Sequence, residues 1–307
     1  MDVREAVLEF QHSKLHLSRH SRRGYRLRLA VFTSWCEQQG LELEAITARH
    51  IRTFIDAVAS RPGQKGSTLR PSSVRLYITT VKTFLSWCSK EEDFEELVSP
   101  KIVSRIPTPR IAPPLIETFT PEQIAALFVA TEEQPFPVRD RAILSLLLDT
   151  GIRASELVGL TLDCCWLDPD DSYLLVHGKG KSREVPLGRT ARTALRRYVT
   201  RHRHPRQASE QHVFLGRTGE QLMVSGLEQI IRPIGSRARI KGVRCSPHTF
   251  RHTFACMYLL GGGDIYKLSR LMGHESVKIT ERYLGAIKAK QARQGGESVL
   301  DRLKKDL

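Results

Sequence analysis

Five of the chain's fifteen prolines, Pro100, Pro107, Pro109, Pro113 and Pro114, fall between Ser99 and Glu117. Each removes a backbone donor and biases the residue before it towards extended chain, so neither a long helix nor a central strand can run through this stretch. The 307 residues are thereby divided near their first third, and each part is long enough to bury a core of its own. The expected organisation is a helical domain over residues 1–98, a proline-rich linker over 99–117, a second domain over 118–283 and a polar tail over 284–307. No internal repeat or low-complexity tract interrupts this division.

The first part carries apolar residues at helical spacing: Tyr25, Leu29, Phe32 and Cys36, then Ile51, Phe54, Ile55 and Val58. A loop from Arg61 to Arg70 leads into Pro71-Ser72 and a third face of Val74, Tyr77, Val81, Phe84, Leu85 and Cys88. These faces predict a small helical bundle. Between Met1 and Lys90, fifteen lysines and arginines stand against seven acids, before an acidic run from Glu91 to Glu96. Over the whole chain the net charge is +15 and the sequence pI about 9.8. Such a balance points to a polyanionic partner, nucleic acid ahead of a membrane surface, with the bundle as a candidate DNA clamp.

The second part opens on Thr120-Pro121-Glu122-Gln123, where a hydroxyl cap, a proline at the first helical position and a glutamine three residues on form a capping box. Helices are expected over 121–131 and 138–150, then short strands over 173–177 and 183–187 around the glycine-marked turn Gly178-Lys179-Gly180-Lys181-Ser182. Further helices should cover 191–203, 226–237, 249–260, 265–271 and 277 onward, with Ser225, Asp264 and Ser276 as N-caps. The fold class is therefore mainly α with a small antiparallel β-sheet, a helical domain followed by a mixed α+β domain. No run of about 18 apolar residues and no apolar signal core after Met1 is present, so a cytosolic protein without a membrane partner is expected. Six cysteines without a C-x-x-C pair or zinc-ligand spacing read as reduced core thiols, and no H-E-x-x-H or close carboxylate set suggests a metal site.

Four separated clusters carry the candidate chemistry: Gly151-Ile152-Arg153-Ala154-Ser155-Glu156-Leu157, the Gly178-Lys179-Gly180-Lys181 turn, His248-Thr249-Phe250-Arg251-His252, and Leu271-Met272-Gly273-His274 with Tyr283 nine residues after the histidine. In order and spacing they resemble the tyrosine recombinase and phage-type integrase family, its compact Xer-like members most of all. The departure nearest the site is Met272-Gly273, where the family often has Leu-Gly. The resemblance implies a helical core-binding domain joined to a catalytic domain of tyrosine recombinase type. It also implies double-stranded DNA as partner and self-association as a tetramer on two DNA sites. The reaction implied is cleavage and rejoining of strands through a 3′-phosphotyrosyl bond to Tyr283, without metal, ATP or other cofactor.

The chemistry explains why such residues would gather. A phosphodiester under attack gains negative charge on its nonbridging oxygens, so fixed cations stabilise the transition state more than the ground state. Arg153 and Arg251 suit that role because a guanidinium stays charged and presents a planar fork to two oxygens. The family pattern makes Lys179 the general acid for the departing 5′ oxygen, with Lys181 and Arg183 nearby as candidate phosphate contacts. His248 and His274 would bond the phosphate oxygens and assist proton movement, and His252, beside Arg251, reads as packing or as a support one layer behind the phosphate contacts. Glu156, three positions after Arg153, can share its side of a helical turn and orient it. The same residues leave two alternatives, a type IB topoisomerase-like relaxing enzyme and a DNA-binding accessory protein that never cuts. With helical sequence starting almost at Met1, a simple core site without an arm-binding domain is expected. In this family the segment after the tyrosine docks on a neighbouring protomer, but residues 284–307 offer only a weak apolar pattern at Leu284, Ile287, Val299, Leu300 and Leu303.

Overall fold

The computed structural model describes residues 1–63, 67–109, 115–178 and 181–294. The chain divides into two compact units, Met1–Pro113 and Pro114–Leu307.

The first unit consists of helices α1 (Val3–Ser13), α2 (Arg19–Gln38), α3 (Ala48–Ala59), α4 (Pro71–Cys88) and α5 (Pro100–Arg105). Asp2, Ser18 and Thr47 cap the first three, each side-chain oxygen accepting a backbone N–H of the first turn. Their apolar stripes meet in a core where Phe32 and Phe54 pack edge to face at 5.0 Å and Phe10 and Phe84 at 5.6 Å. The expected positions Leu29, Phe32, Cys36, Ile51, Phe54, Val58, Val81, Phe84, Leu85 and Cys88 are buried, while Tyr25, Ile55 and Tyr77 pack at the rim. Burial pushes the Cys36 and Cys88 thiols up to about 12, which keeps them inert. The segment after Ser99 is not extended throughout. Ser99 caps α5, Pro100 takes the first helical position where a missing N–H has no consequence, and Val98 and Ile106 are buried in the same core.

The second unit contains α6 (Pro121–Thr131), α7 (Pro137–Thr150), α8 (Ala154–Val158), α9 (Arg189–Arg201), α10 (Val224–Arg237), α11 (Pro247–Leu260), α12 (Ile265–Met272) and α13 (Val277–Gln294). Between α8 and α9 lies an antiparallel sheet of β1 (Cys165–Leu167), β2 (Ser172–His177) and β3 (Ser182–Pro186), in that spatial order. Leu174 of β2 pairs with Cys165 on one side and Val185 on the other, and Leu174, Val176 and Val185 turn into the core. Helix α7 is the centre of the unit: Ile143, Leu144, Leu146 and Leu147 are fully buried on successive faces, and α9 and α11 pack against it. The capping box of α6 is formed, with the Thr120 and Gln123 side chains each accepting the other's backbone N–H.

Two local expectations are corrected. The N-cap of α10 is Met223, not Ser225, so the helix starts two residues earlier than its hydroxyl suggested. Strand β1 was not foreseen, because three residues are too few to show alternation; Trp166 stacks on Tyr173 of β2 at 4.7 Å and holds the edge. Among the described residues no helix is long and apolar enough to cross a membrane.

Candidate active site

Two left-handed glycines shape the centre of the second unit. Gly151 ends α7 at φ +59°, and an added Cβ would fall 2.2 Å from the Phe254 ring. Gly273 ends α12 at φ +61°, and an added Cβ would meet the Arg183 guanidinium at 2.8 Å. Only glycine reaches this conformation without strain, and here it also leaves room for side chains from elsewhere. After Gly273 the chain closes as a Schellman turn, with Gly273 N–H on the Arg270 carbonyl and His274 N–H on the Ser269 carbonyl.

That turn leaves the last carbonyls of α12 free, and arginines fill them. Leu271 accepts from Arg183 Nε at 2.7 Å, Met272 from Arg251 at 2.6 Å and Gly273 from Arg153 at 2.6 Å. Three guanidinium groups thus converge on one helix C-terminus, whose partial negative charge favours them. Arg251 also donates to the Gly151 carbonyl at 2.6 Å, so it bridges both glycine turns. Burial, and then the neighbouring Arg153 charge, lowers Arg251 to about 10, which leaves it protonated at neutral pH. Arg251 is 4% exposed, whereas the Arg153 side chain remains 41% exposed. In the bonds described, each uses two of its nitrogens on protein oxygens and keeps further N–H donors for a ligand.

Glu156 is the counterion beneath this group. Its carboxylate accepts from Arg153 N–H and Arg153 Nη1 at 2.8 Å, and from both terminal nitrogens of Arg183 at 2.9 Å. Burial alone would raise this carboxyl, but the hydrogen bonds from Arg183 and Arg153 and the Arg183 charge overcome it and bring it down to about 2. The expected orientation of Arg153 by Glu156 is present. Arg183 departs from the expected phosphate contact: its fork lies bidentate on Glu156 and its Nε on the Leu271 carbonyl. The strand predicts this in hindsight, since Arg183 shares the inward face of β3 with buried Val185 while Ser182 and Glu184 are exposed.

Helix α11, which carries Arg251, brings two imidazoles to the same place. His248, Arg251 and His252 lie on it, with the two imidazoles edge to face at 4.2 Å, and the Tyr283 hydroxyl of α13 sits 3.0 Å from His252 Nδ1. His274 stacks parallel to the Tyr283 ring at 6.4 Å and bonds Thr280 Oγ1 through Nδ1 at 2.8 Å. Burial lowers all three histidines, with Arg251 the next influence on His248 and His274 and the His248 ring the next on His252; His252 and His274 fall to about 4. Tyr283 is 2% exposed, and burial raises its phenol against the opposing pull of Arg251 and Arg282. For His252 the sequence suggests packing or support behind Arg251, and its contact with the Tyr283 hydroxyl goes beyond that expectation. It stands four residues after His248, hence on the same helix face, and that spacing was the available signal.

The Lys179 position lies outside the described residues, as does the tail beyond residue 294. Lys181 is exposed, and its carbonyl accepts from Gly178 N–H at 2.9 Å at the end of the hairpin. His177, just before the turn, ties the hairpin base together through Ser182 Oγ at 2.8 Å. Among the described residues no group of three or more His, Cys, Asp or Glu side chains could hold a metal ion. In the first unit, Lys14, Arg19, Arg22, Arg23 and Arg26 line a concavity between α1 and α2, a basic surface suited to a phosphate backbone.

Comparison with known proteins places these features in context. The model of the phage integrase family matches residues 117–290, and that of the phage integrase N-terminal SAM-like domain matches residues 9–93. The chain is 31% identical over 286 residues to the tyrosine recombinase XerC of Pseudomonas aeruginosa, covering 91% of this chain and 88% of that protein. It is 31% identical over 288 residues to the tyrosine recombinase XerD of Chlorobaculum tepidum, covering 91% and 90%. Among solved structures, the XerH site-specific recombinase in a post-cleavage complex with palindromic difH substrate superposes with a TM-score of 0.71 at 17% identity, covering 94% of this chain and 83% of that one.

Proposed function

The chain belongs to the phage integrase family, and from that premise we propose that it is a site-specific tyrosine recombinase, a DNA strand-transferring enzyme in which Tyr283 is the nucleophile. The observation that carries this reading is the convergence of Arg153, Arg251, His248, His274 and the Tyr283 hydroxyl around the turns at Gly151 and Gly273. A scissile phosphate bound by the remaining donors of the two arginines would have its nonbridging charge stabilised as it grows. The Tyr283 oxygen would displace the 5′ oxygen and hold the 3′ phosphate as an ester, so the bond energy is kept and no ATP is needed. Arginine supplies the cationic charge, and cleavage proceeds without a metal. Lys179, which falls between β2 and β3 in the sequence, is the proposed acid for the 5′ oxygen, while Glu156 and Arg183 hold the arginines in place. Lys181 is a proposed phosphate contact.

Double-stranded DNA is the substrate, the first unit contributing its basic concavity, and recombination requires four protomers on two sites. Relaxing activity of the type IB kind uses the same chemistry; the relatives, named as recombinases over nine-tenths of this chain, favour strand exchange between sites. The direct test is Tyr283→Phe on DNA carrying its target site. It should bind with unchanged affinity and form no covalent protein–DNA adduct, in the presence or absence of EDTA. An adduct formed by the phenylalanine variant would exclude Tyr283 as nucleophile, and wild-type cleavage lost to EDTA and restored by magnesium would establish a metal requirement.

A further inference from the structure

Tyr283 is packed among Phe254, Leu268 and Met272, yet its hydroxyl meets a ring nitrogen, Nδ1 of His252, at 3.0 Å. We infer that His252 takes the Tyr283 proton as the tyrosine oxygen attacks, which makes it a further catalytic residue of the reaction proposed above and rests on that reading. Two imidazoles, His252 and His274, lie against the phenol and a third, His248, lies against His252, and their geometry differs. The His274 ring lies parallel to the tyrosine ring, 5° between planes and 6.4 Å between centroids, with Nδ1 committed to Thr280, and the hydrogen bond of the Tyr283 hydroxyl goes to His252 instead. His248 reaches His252 edge to face, whereas His252 itself is at hydrogen-bond distance from the reacting oxygen.

The protonation states agree with this geometry. A burial penalty, reinforced by nearby positive charge, holds His252 down to about 4, so the ring is neutral at pH 7 and Nδ1 can accept. The groups acting on it are His248 and Arg251 from α11, His274 from the turn before α13, and Arg282 and Tyr283 from α13 itself. None is a carboxylate that would hold the ring protonated. Burial raises the Tyr283 phenol, so at neutral pH its proton has little tendency to leave for water and needs an acceptor within reach.

In the forward step the Tyr283 oxygen–phosphorus bond forms and the phosphorus–5′ oxygen bond breaks. The phenolic proton passes to His252 Nδ1, and the 5′ oxygen takes a proton from the general acid. In rejoining, the 5′ hydroxyl attacks and the imidazolium returns its proton to the departing tyrosine oxygen, so one residue serves both directions.

His252→Asn tests this, because the asparagine carbonyl can accept a hydrogen bond near the Nδ1 position but cannot take a proton. DNA affinity and the circular dichroism spectrum should be retained, and covalent cleavage at pH 7 should fall by about a hundredfold or more. Wild-type cleavage should be level between pH 6 and 9, whereas the variant should climb about tenfold per pH unit as hydroxide replaces the imidazole. A fluorinated tyrosine at position 283, more acidic than tyrosine, should restore much of the variant's rate. In the chain with His252 intact, the same analogue should leave the level pH profile unchanged; this arm needs no substitution at 252 and holds even if His252→Asn misfolds. A variant that cleaves at the wild-type rate or faster with the wild-type profile would overturn the proposal and make His252 a resting contact that the tyrosine leaves before attack. A profile that follows the acidity of the phenol with His252 intact would also overturn it. Failure of the underlying reading looks different: Tyr283→Phe would still form the adduct.

Discussion

Glu156→Gln isolates the electrostatic foundation of the site. The carboxylate stands at about 2 instead of its ordinary 4.5, which corresponds to roughly 3 kcal/mol of stabilisation of the folded, charged form at neutral pH. A second route gives a similar size. The substitution leaves Arg183, whose side chain is 13% exposed, without its counterion, and breaking a buried pair from one side costs about 3–5 kcal/mol. For a unit of this length the loss should lower Tm by roughly 6–12 °C. Trp166 is the one tryptophan of the second unit, so urea unfolding followed by its fluorescence, with Trp35 and Trp87 replaced by phenylalanine, reads the affected unit alone. The sign of the pH dependence follows from the depressed carboxyl. Its contribution is complete above the unfolded value near 4.5 and is lost as pH falls through about 2. The gap between wild type and variant should therefore be constant from pH 7 to 5 and close in acid. A gap below about 1 kcal/mol at pH 7, or one that persists unchanged at pH 2, would refute the assignment of Glu156 as the arginine counterion.

Arg251→Lys should bind DNA and lose most cleavage, because a single ammonium cannot span the Gly151 and Met272 carbonyls and still reach a phosphate; near-normal adduct formation in a gel assay would reduce Arg251 to a general positive charge. Lys179→Ala should be slow on ordinary DNA and substantially rescued by a 5′-bridging phosphorothiolate, whose sulfur leaves without a proton. Rescue of Lys181→Ala in its place would move the acid two residues along the turn. Affinity should fall linearly in a plot of log affinity against log salt, at about 0.9 per phosphate neutralised, and a flat response measured by anisotropy would contradict the role given to the +15 charge.

Much of the fold was legible because its signals are local. The capping box at Thr120 and the 3/4 spacing of Leu29, Phe32 and Cys36 act within a few residues, and each reappears in the structure, whereas the prolines after Ser99 do not keep that stretch extended, since Pro100 opens α5. The start of α10 was not legible, since a hydroxyl caps a helix only where its own backbone is still extended, and here the last extended residue is Met223, which leaves Ser225 already inside the helix. Nor was the arrangement at the end of α12. The acceptors at Leu271, Met272 and Gly273 are backbone carbonyls, which every residue carries, and their donors come from 21 to 120 positions away.

Between those limits lie two residues whose faces were written in the sequence. Parity along β3 sets Arg183 on the side of Val185, and a cation forced inward needs a carboxylate more than it can offer itself to a phosphate; Glu156 is that carboxylate. Helical spacing sets His252 beneath His248, so any reading that brings one imidazole to the reacting phosphate brings the other to the next layer of the site. The two cases share one physical rule. When a motif fixes the direction of one side chain on a regular element, the element's period fixes the direction of its neighbours. Their chemistry then follows from what is already there: a guanidinium group beside a buried acid becomes support, and a neutral imidazole beside a buried phenol becomes a place for its proton.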